Sequence, residues 1–295
     1  MNKMPHWRKI PRSEYYKAEA YLKSREKYCV AASARFITMK NSHGHVWFLP
    51  EHSEAGRAPV GEVSPAGEIS ALLLHNRRTL FPVFNKNHTI SSPHFLNRFL
   101  IKIPIHAVQG LKEDTEILEN LMENEGYYAA ERIDYDLMNI DTPPRREAHN
   151  SFPAGLVLRK PAAGDTESIF ALQAAYEKEE VMPKNAVFDP AVSRLNLQHI
   201  LSSEHILLAE LDGQIVGKIN TSAESFTRFQ IGGVYVRPDC RGRGIAAKMT
   251  AVFIESLLSL GKGVTLYVKQ RNKAARTVYR RVGLSALADY RISYY

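Results

Sequence analysis

Cysteine is scarce in this sequence: Cys29 and Cys240 are the only two among 295 residues. That excludes a disulfide framework and a four-thiolate zinc site. Long apolar runs are missing as well, since no stretch approaches the ~20 uninterrupted apolar residues that span a bilayer. The first ten residues hold charges and a proline but no apolar core, so no secretory signal is expected and the protein is read as cytoplasmic. Tandem repeats and low-complexity tracts are also lacking. What is present is a globular balance, 44% hydrophobic and 24% charged, which excludes disordered and fibrous classes. The length suits two domains of ordinary size.

The charge is uneven. The net value is +8 with a pI near 9.3, which by default suggests nucleic acid or a membrane surface. Residues 237–295 hold twelve Lys/Arg against three acids, however, and the rest of the chain is close to neutral. The excess is local and needs a local cause.

Three prolines in a polar run, Asp141 to Gly155, predict an exposed linker at 142–153 between domains 1–141 and 154–295. In the first domain, Ser13 is expected to cap a helix to about Lys27, and Cys29–Phe36 a second. Strands are expected at His45–Leu49, Glu68–Leu74, Leu80–Phe84, Ile105–Gln109 and Arg132–Ile140, with a helix over Glu113–Asn124. The second domain starts with a strand, Gly155–Arg159. A helix capped by Asp165 follows, with Ile169, Phe170, Leu172 and Ala175 facing inward, and then a helix over Ala191–Leu201. Three antiparallel strands come next, His205–Glu210, Gln214–Ser222 and Arg228–Val236, the first two joined by the hairpin pair Asp212-Gly213. A helix from Gly244 to Leu260 with a stripe of Met249, Phe253, Leu257 and Leu260 ends at Gly261. Strand Val264–Val268, helix Asn272–Val282 and strand Ala288–Tyr294 complete the series. The fold class is therefore α/β (α+β), a mixed, mostly antiparallel sheet flanked by helices.

The segment Val234-Tyr-Val-Arg-Pro-Asp-Cys-Arg-Gly-Arg-Gly-Ile-Ala246 carries the chemistry. A strand ends, a turn follows, and a glycine-rich loop opens directly into a helix. Backbone N–H groups and the positive helix end then converge on one spot, which suits a pyrophosphate. Gly242 and Gly244 permit close approach, and Arg241 and Arg243 can add charge-assisted hydrogen bonds. Gly242-x-Gly244-x-x-Ala247 also fits a dinucleotide fingerprint, but no acidic residue follows between Ser256 and Ala288 to hold a ribose. A Walker-type loop is excluded because no Gly-Lys-Ser/Thr is present there.

These residues resemble the GNAT superfamily of acetyl-coenzyme A-dependent N-acetyltransferases. The family signature Gln/Arg-x-x-Gly-x-Gly/Ala is matched by Arg241, Gly244 and Ala246. A second block, Asn-x-x-Ala-x-x-x-Tyr-x-x-x-Gly-Phe, is matched by Asn272, Ala275, Tyr279 and Gly283, with Leu284 in place of the phenylalanine. The resemblance spans about 155–295. It implies that Val234, Tyr235, Val236, Arg241, Gly242, Arg243, Gly244, Ile245, Ala246, Asn272, Ala275 and Tyr279 bind acetyl-coenzyme A. It further implies that Tyr279 protonates the leaving thiolate. Some members carry a basic glutamate on the strand before the loop; Gln230 stands there, and Glu224, the nearest carboxylate, is the candidate base. Glu177, Glu179 and Glu180 either attract a cationic amine or form a solvated helix face, the commoner case. Cys240 is read as incidental.

The implied activity is transfer of an acetyl group from acetyl-coenzyme A to a primary amine by direct attack in a ternary complex. The alternative is a coenzyme A-binding sensor or regulatory module without turnover. The expected partners are acetyl-coenzyme A and an amine acceptor, with no nucleic acid, no membrane and no metal, in a monomer or homodimer. Nine of the eleven histidines precede residue 150, among them His43, His45 and His52, but no cysteine or carboxylate completes a zinc-ligand spacing. The first domain is expected to be a degenerate acetyltransferase-like copy that does not bind the cofactor. In this reading its core is strand Ile105–Gln109 and the helix after it, with Glu113, Asp114 and Glu116 in the first turn repelling phosphate.

Overall fold

The computed structural model describes residues 7–39, 44–50, 69–85, 104–144, 152–182 and 186–295. The chain divides into two compact units, one of residues 1–136 with 288–295 and one of residues 137–287. The proline-rich stretch expected as a linker begins a little beyond that division. Residues 145–151 of it, along with His43, His52 and Glu68, lie outside the described residues.

In the first unit, helices α1 (Tyr15–Ser24) and α2 (Val30–Met39) precede strands β2 (Gly44–Pro50), β3 (Ile69–Asn76) and β4 (Thr79–Phe84), with a short β1 (Arg8–Lys9) on the edge. Strands β1 to β4 pair antiparallel in sequence order. Strand β5 (Ala107–Leu111) then runs parallel to β4 and leads directly into helix α3 (Lys112–Asn124). Strand β6 (Glu131–Ile140) follows. Strand β3 is buried along its whole length, because helices and sheet neighbours cover both faces of its Leu72-Leu73-Leu74 run. Ser13 makes no capping bond; it lies in a 3₁₀ turn, Arg12–Glu14, ahead of α1. Asp114 does not face solvent at the start of α3. It is buried and accepts from the Phe84 N–H at 3.1 Å, pinning the end of β4, and burial pushes its carboxyl up to about 7.

The second unit opens with β7 (Leu156–Arg159), helix α4 (Thr166–Tyr176), a π turn over Glu177–Val181 and helix α5 (Pro190–Ser203). Asp165 does not cap α4 as expected; its carboxylate is held by Arg159 at 2.6 and 2.9 Å and by the Ala162 N–H. Asp189 is the residue that caps, accepting from Ala191 and Val192 ahead of α5. Strands β8 (Ile206–Leu211), β9 (Gln214–Glu224) and β10 (Arg228–Val236) form an antiparallel meander. Asp212 and Gly213 take positive φ values of 51° and 76°, as a two-residue hairpin of this type demands.

Helix α6 (Ile245–Leu258) crosses to β11 (Gly263–Lys269), which pairs parallel with β10, and helix α7 (Lys273–Val282) follows. Helix α6 buries Met249, Phe253, Ile254 and Leu257 against the sheet. It ends before Leu260, which is 54% exposed and not part of the stripe. The last strand, β12, spans Ser285–Tyr294. Its residues from Tyr290 onward pair antiparallel with β5, so the chain ends in the first unit.

Among the described residues each unit shows a parallel pair, β4 with β5 and β10 with β11. In the second unit the glycine-rich loop lies between the members of that pair. In the first unit residues 86–103, between β4 and β5, lie outside the described residues, and their sequence contains no glycine.

Candidate active site

Strand β10 cannot stay flat. Its ladder with β9 shifts register once between Gln230 and Ile231, breaks after Gly232, opposite Asn220, and resumes at Tyr235, opposite Lys218, while its ladder with β11 stops at Ile231. Gly233 and Val234 lie in the gap. Gly233 adopts φ 58°, and a Cβ on it would overlap Asn220 Oδ1 and sit 2.7 Å from Lys218 Nζ, so only glycine fits. Beyond Ile231, β10 has no ladder partner in β11.

A cavity of about 370 Å³ lies beside this end of β10. Val234, Tyr235 and Val236 line one wall. Gly242, Gly244, Ile245 and Ala246 line the second, and Asn272, Ala275 and Tyr279 the third. Gly242 and Gly244 have φ 75° and 80°. Gly244 is the N-cap of α6, so the unpaired N–H groups of the first helical turn face the cavity wall that the loop forms. A Cβ at Gly242 would meet nothing within 4 Å, which leaves the loop open for an anion. Asn272 caps α7 by accepting from the Ala275 N–H at 3.0 Å.

The arginines depart from expectation. Arg241 lines the cavity, but its Nε donates to Val236 O at 2.9 Å and its two terminal nitrogens meet Glu179 at 2.9 and 2.8 Å. It ties the π turn to the end of β10. Arg243 does not line the cavity. Glu180 also lines it, accepting from Asn272 Nδ2 at 3.0 Å and lying 3.5 Å from Lys269 Nζ. Glu179 and Glu180 are thus cavity walls, contrary to the solvated-face reading, whereas Glu177 accepts from Gln173 outside it.

Tyr279 is 7% exposed, and burial, followed by the field of Tyr176 and Glu180, raises its hydroxyl pKa and keeps it protonated. Glu224 does not belong to the cavity. It sits at the exposed end of β9, bound to Lys262 Nζ at 2.6 Å. Gln230 donates to Ser222 Oγ at 3.0 Å and is likewise absent from the lining. Cys240 is buried in the core and touches the cavity wall.

Behind the bulge lies a group that the sequence analysis missed. Lys218 is buried, its ammonium 2.8 Å from Asn220 Oδ1 and 3.0 Å from Gly233 O, above the ring of Tyr176 at 5.0 Å. Burial lowers its pKa to about 7, opposed by the nearby Glu177. Two signals were available: a lysine inside the apolar run Ile215-Val216-Gly217-Lys218-Ile219, and Gly232-Gly233 inside a strand.

The family model described as Acetyltransferase (GNAT) family matches residues 169–284, which include the whole cavity lining. Residues 169–284 are a GNAT domain. Solved structures extend the likeness of fold. A GCN5-related N-acetyltransferase from Sphaerobacter thermophilus is similar over 98% of this chain and 94% of its own, at 21% identity and TM-score 0.58. A tandem GNAT protein from the clavulanic acid biosynthesis pathway is similar over 98% and 97%, at 11% identity and TM-score 0.57. A GNAT-family structure from Novosphingobium aromaticivorans is matched over 56% of this chain and 65% of its own length, at 17% identity and TM-score 0.42. No curated protein matches the sequence. The GNAT fold thus extends beyond the GNAT domain over nearly the whole chain, in keeping with two units that each show a parallel strand pair among the described residues.

Proposed function

We propose that the GNAT domain transfers an acetyl group from acetyl-coenzyme A to a primary amine. The observation that carries this reading is the cavity between the β10 bulge, the left-handed glycines and α7. One wall offers backbone N–H groups and a helix N-terminus to a pyrophosphate; the opposite end offers the unladdered Val234 N–H to an acyl oxygen. Acetyl-coenzyme A supplies an acyl group on a good thiolate leaving group.

In this proposal the chain's own residues do three things. The glycine loop and the first turn of α6 hold the pyrophosphate, with Gly242, Gly244, Ile245 and Ala246 as the anion cradle. Val234 N–H stabilises negative charge on the acyl oxygen as the amine nitrogen attacks the carbonyl carbon. Tyr279, neutral at working pH, gives its proton to the sulfur as the C–S bond breaks. The amine must shed a proton, and Glu180 is our candidate acceptor in place of Glu224. It lines the cavity, whereas both oxygens of Glu179 are committed to Arg241. Direct attack in a ternary complex follows, because no nucleophile is required on the enzyme.

The first unit is proposed to bind no coenzyme A. The sequence between β4 and β5 holds no glycine, and the cavity beside the start of its α3 is about 10 Å³. The competing reading, a coenzyme A sensor without turnover, draws on Gln230, which cannot accept a proton. Release of free thiol from acetyl-coenzyme A, measured against a broad panel of primary amines, separates the two. Binding of coenzyme A with no thiol release for any amine would favour the sensor.

A further inference from the structure

We infer that Lys218 is a positioning residue for acyl transfer: it grips the Gly233 carbonyl so that the Val234 N–H of the same peptide faces the cavity. The inference rests on the acyl-transfer reading above and adds to it the device that aims the donor.

The argument is one of peptide geometry. The peptide between Gly233 and Val234 is trans, as are all the described peptides, so its C=O and N–H point in opposite directions. The carbonyl is fixed on the side away from the cavity by Lys218 Nζ at 3.0 Å, and neither Lys218 nor Asn220 lines the cavity. Val234 does line it. Holding the carbonyl therefore aims the N–H at the cavity. The preceding peptide is clamped too, with the Gly233 N–H donating to Tyr176 Oη at 3.2 Å. Lys218 is itself oriented by Asn220 Oδ1 at 2.8 Å. Asn220 is in turn anchored through its Nδ2 to Thr221 O at 2.6 Å. A residue without these partners would leave two unladdered residues free to rotate in the gap between the β9 and β11 ladders.

A hydrogen-bond donor on a carbonyl oxygen does a second thing. It polarises the peptide, which makes the opposite N–H a stronger donor. A buried lysine in the middle of an apolar strand is costly, and the bulge gives it a task that an apolar side chain could not perform.

The test uses the full chain with acetyl-coenzyme A carrying ¹³C at the thioester carbonyl, read by infrared difference spectroscopy. In the wild type the bound carbonyl band should lie below its position in free acetyl-coenzyme A. In Lys218→Met, with coenzyme A affinity unchanged, the band should return toward the free position and kcat should fall ~10²-fold at constant KM for acetyl-coenzyme A. Tyr176→Phe, which frees the preceding N–H without touching the lysine, should shift the band in the same direction by less and serves if the methionine variant does not fold. A band at the wild-type position in both variants overturns the inference. A wild type that binds acetyl-coenzyme A with no shift of the band overturns the acyl-transfer reading as well.

Discussion

Lysine 218 makes a sharp prediction about stability that is independent of any ligand. Burial lowers its pKa from 10.5 to about 7, against the pull of Glu177. Holding the amine charged in the fold then costs on the order of 5 kcal/mol relative to water. Between pH 7 and 10.5 the unfolded chain binds this proton and the folded chain does not, so stability rises with pH across that window. Below pH 7 both states are protonated and the whole cost is present. Lys218→Met removes the titrating group and keeps much of the volume. From pH 10 down to pH 6 the wild type should therefore lose on the order of 4 kcal/mol relative to the variant. Both tryptophans, Trp7 and Trp47, lie in the first unit, so intrinsic fluorescence would follow the wrong half of the chain. Cys240 is buried in the second unit and Cys29 in the first. Labelling of the two thiols across a urea titration, resolved by mass, follows each unit separately, and comparing both proteins at the same pH cancels intrinsic thiol reactivity. A wild-type-minus-variant difference that stays flat from pH 6 to pH 10 would refute the claim that the buried amine titrates near neutrality.

Three further outcomes follow from the site. Tyr279→Phe should lower kcat by ~10²- to 10⁴-fold with little change in coenzyme A affinity. Because the hydroxyl pKa is raised, no alkaline limb of the wild-type rate profile should disappear with it. Calorimetry should give one coenzyme A per chain, and Gly244→Val, which places a β-branched residue at φ 80°, should abolish that binding entirely. Retained binding in that variant would mean that the anion site lies elsewhere. Glu224→Gln should leave steady-state turnover unchanged, since its partner is Lys262 and not the cavity, whereas Glu180→Gln should depress kcat.

What could be read from the residues was whatever depends on short-range backbone rules. The Asp212-Gly213 hairpin, the glycine loop entering α6 and the helix beginning at Asn272 are all set by neighbours a few positions apart, and each lies in the second unit where it was expected. Errors gathered where other side chains and backbone groups compete for the same carboxylate. Asp165 has cap chemistry, yet Arg159 at the end of β7 offers two charge-assisted bonds and takes it. Asp114 looked like a solvated first-turn acid, yet the end of β4 needed an acceptor and buried it. Glu224 was chosen as a base because it was near in sequence. A strand of eleven residues carries it to the end of β9 remote from the bulge, while the π turn after α4 brings Glu179 and Glu180 to the cavity. Lys218 stayed hidden because a lone lysine in an apolar run conveys no partner until the Gly233 bulge is seen beside it.

The surplus of positive charge after residue 236 also changes meaning once its partners are known. A count treats twelve cations as one field, but a cation already facing a carboxylate contributes little to attracting a ligand at distance. Arg237 faces Asp239, Arg241 faces Glu179, Lys262 faces Glu224, and Lys269 faces Glu180. Arg291 belongs to the first unit altogether, where Asp134 and Glu119 hold it. The loop arginine best placed by sequence to grip a pyrophosphate is thus spent on fixing the π turn. On the proposed function the anion cradle is left to backbone N–H groups and to α7, where Arg281 reaches the cavity wall. A cradle built on backbone has a consequence that charge counting does not give. Reversing one arginine in the loop should weaken coenzyme A binding modestly and in a salt-dependent way, while closing a single left-handed glycine should remove it at any ionic strength.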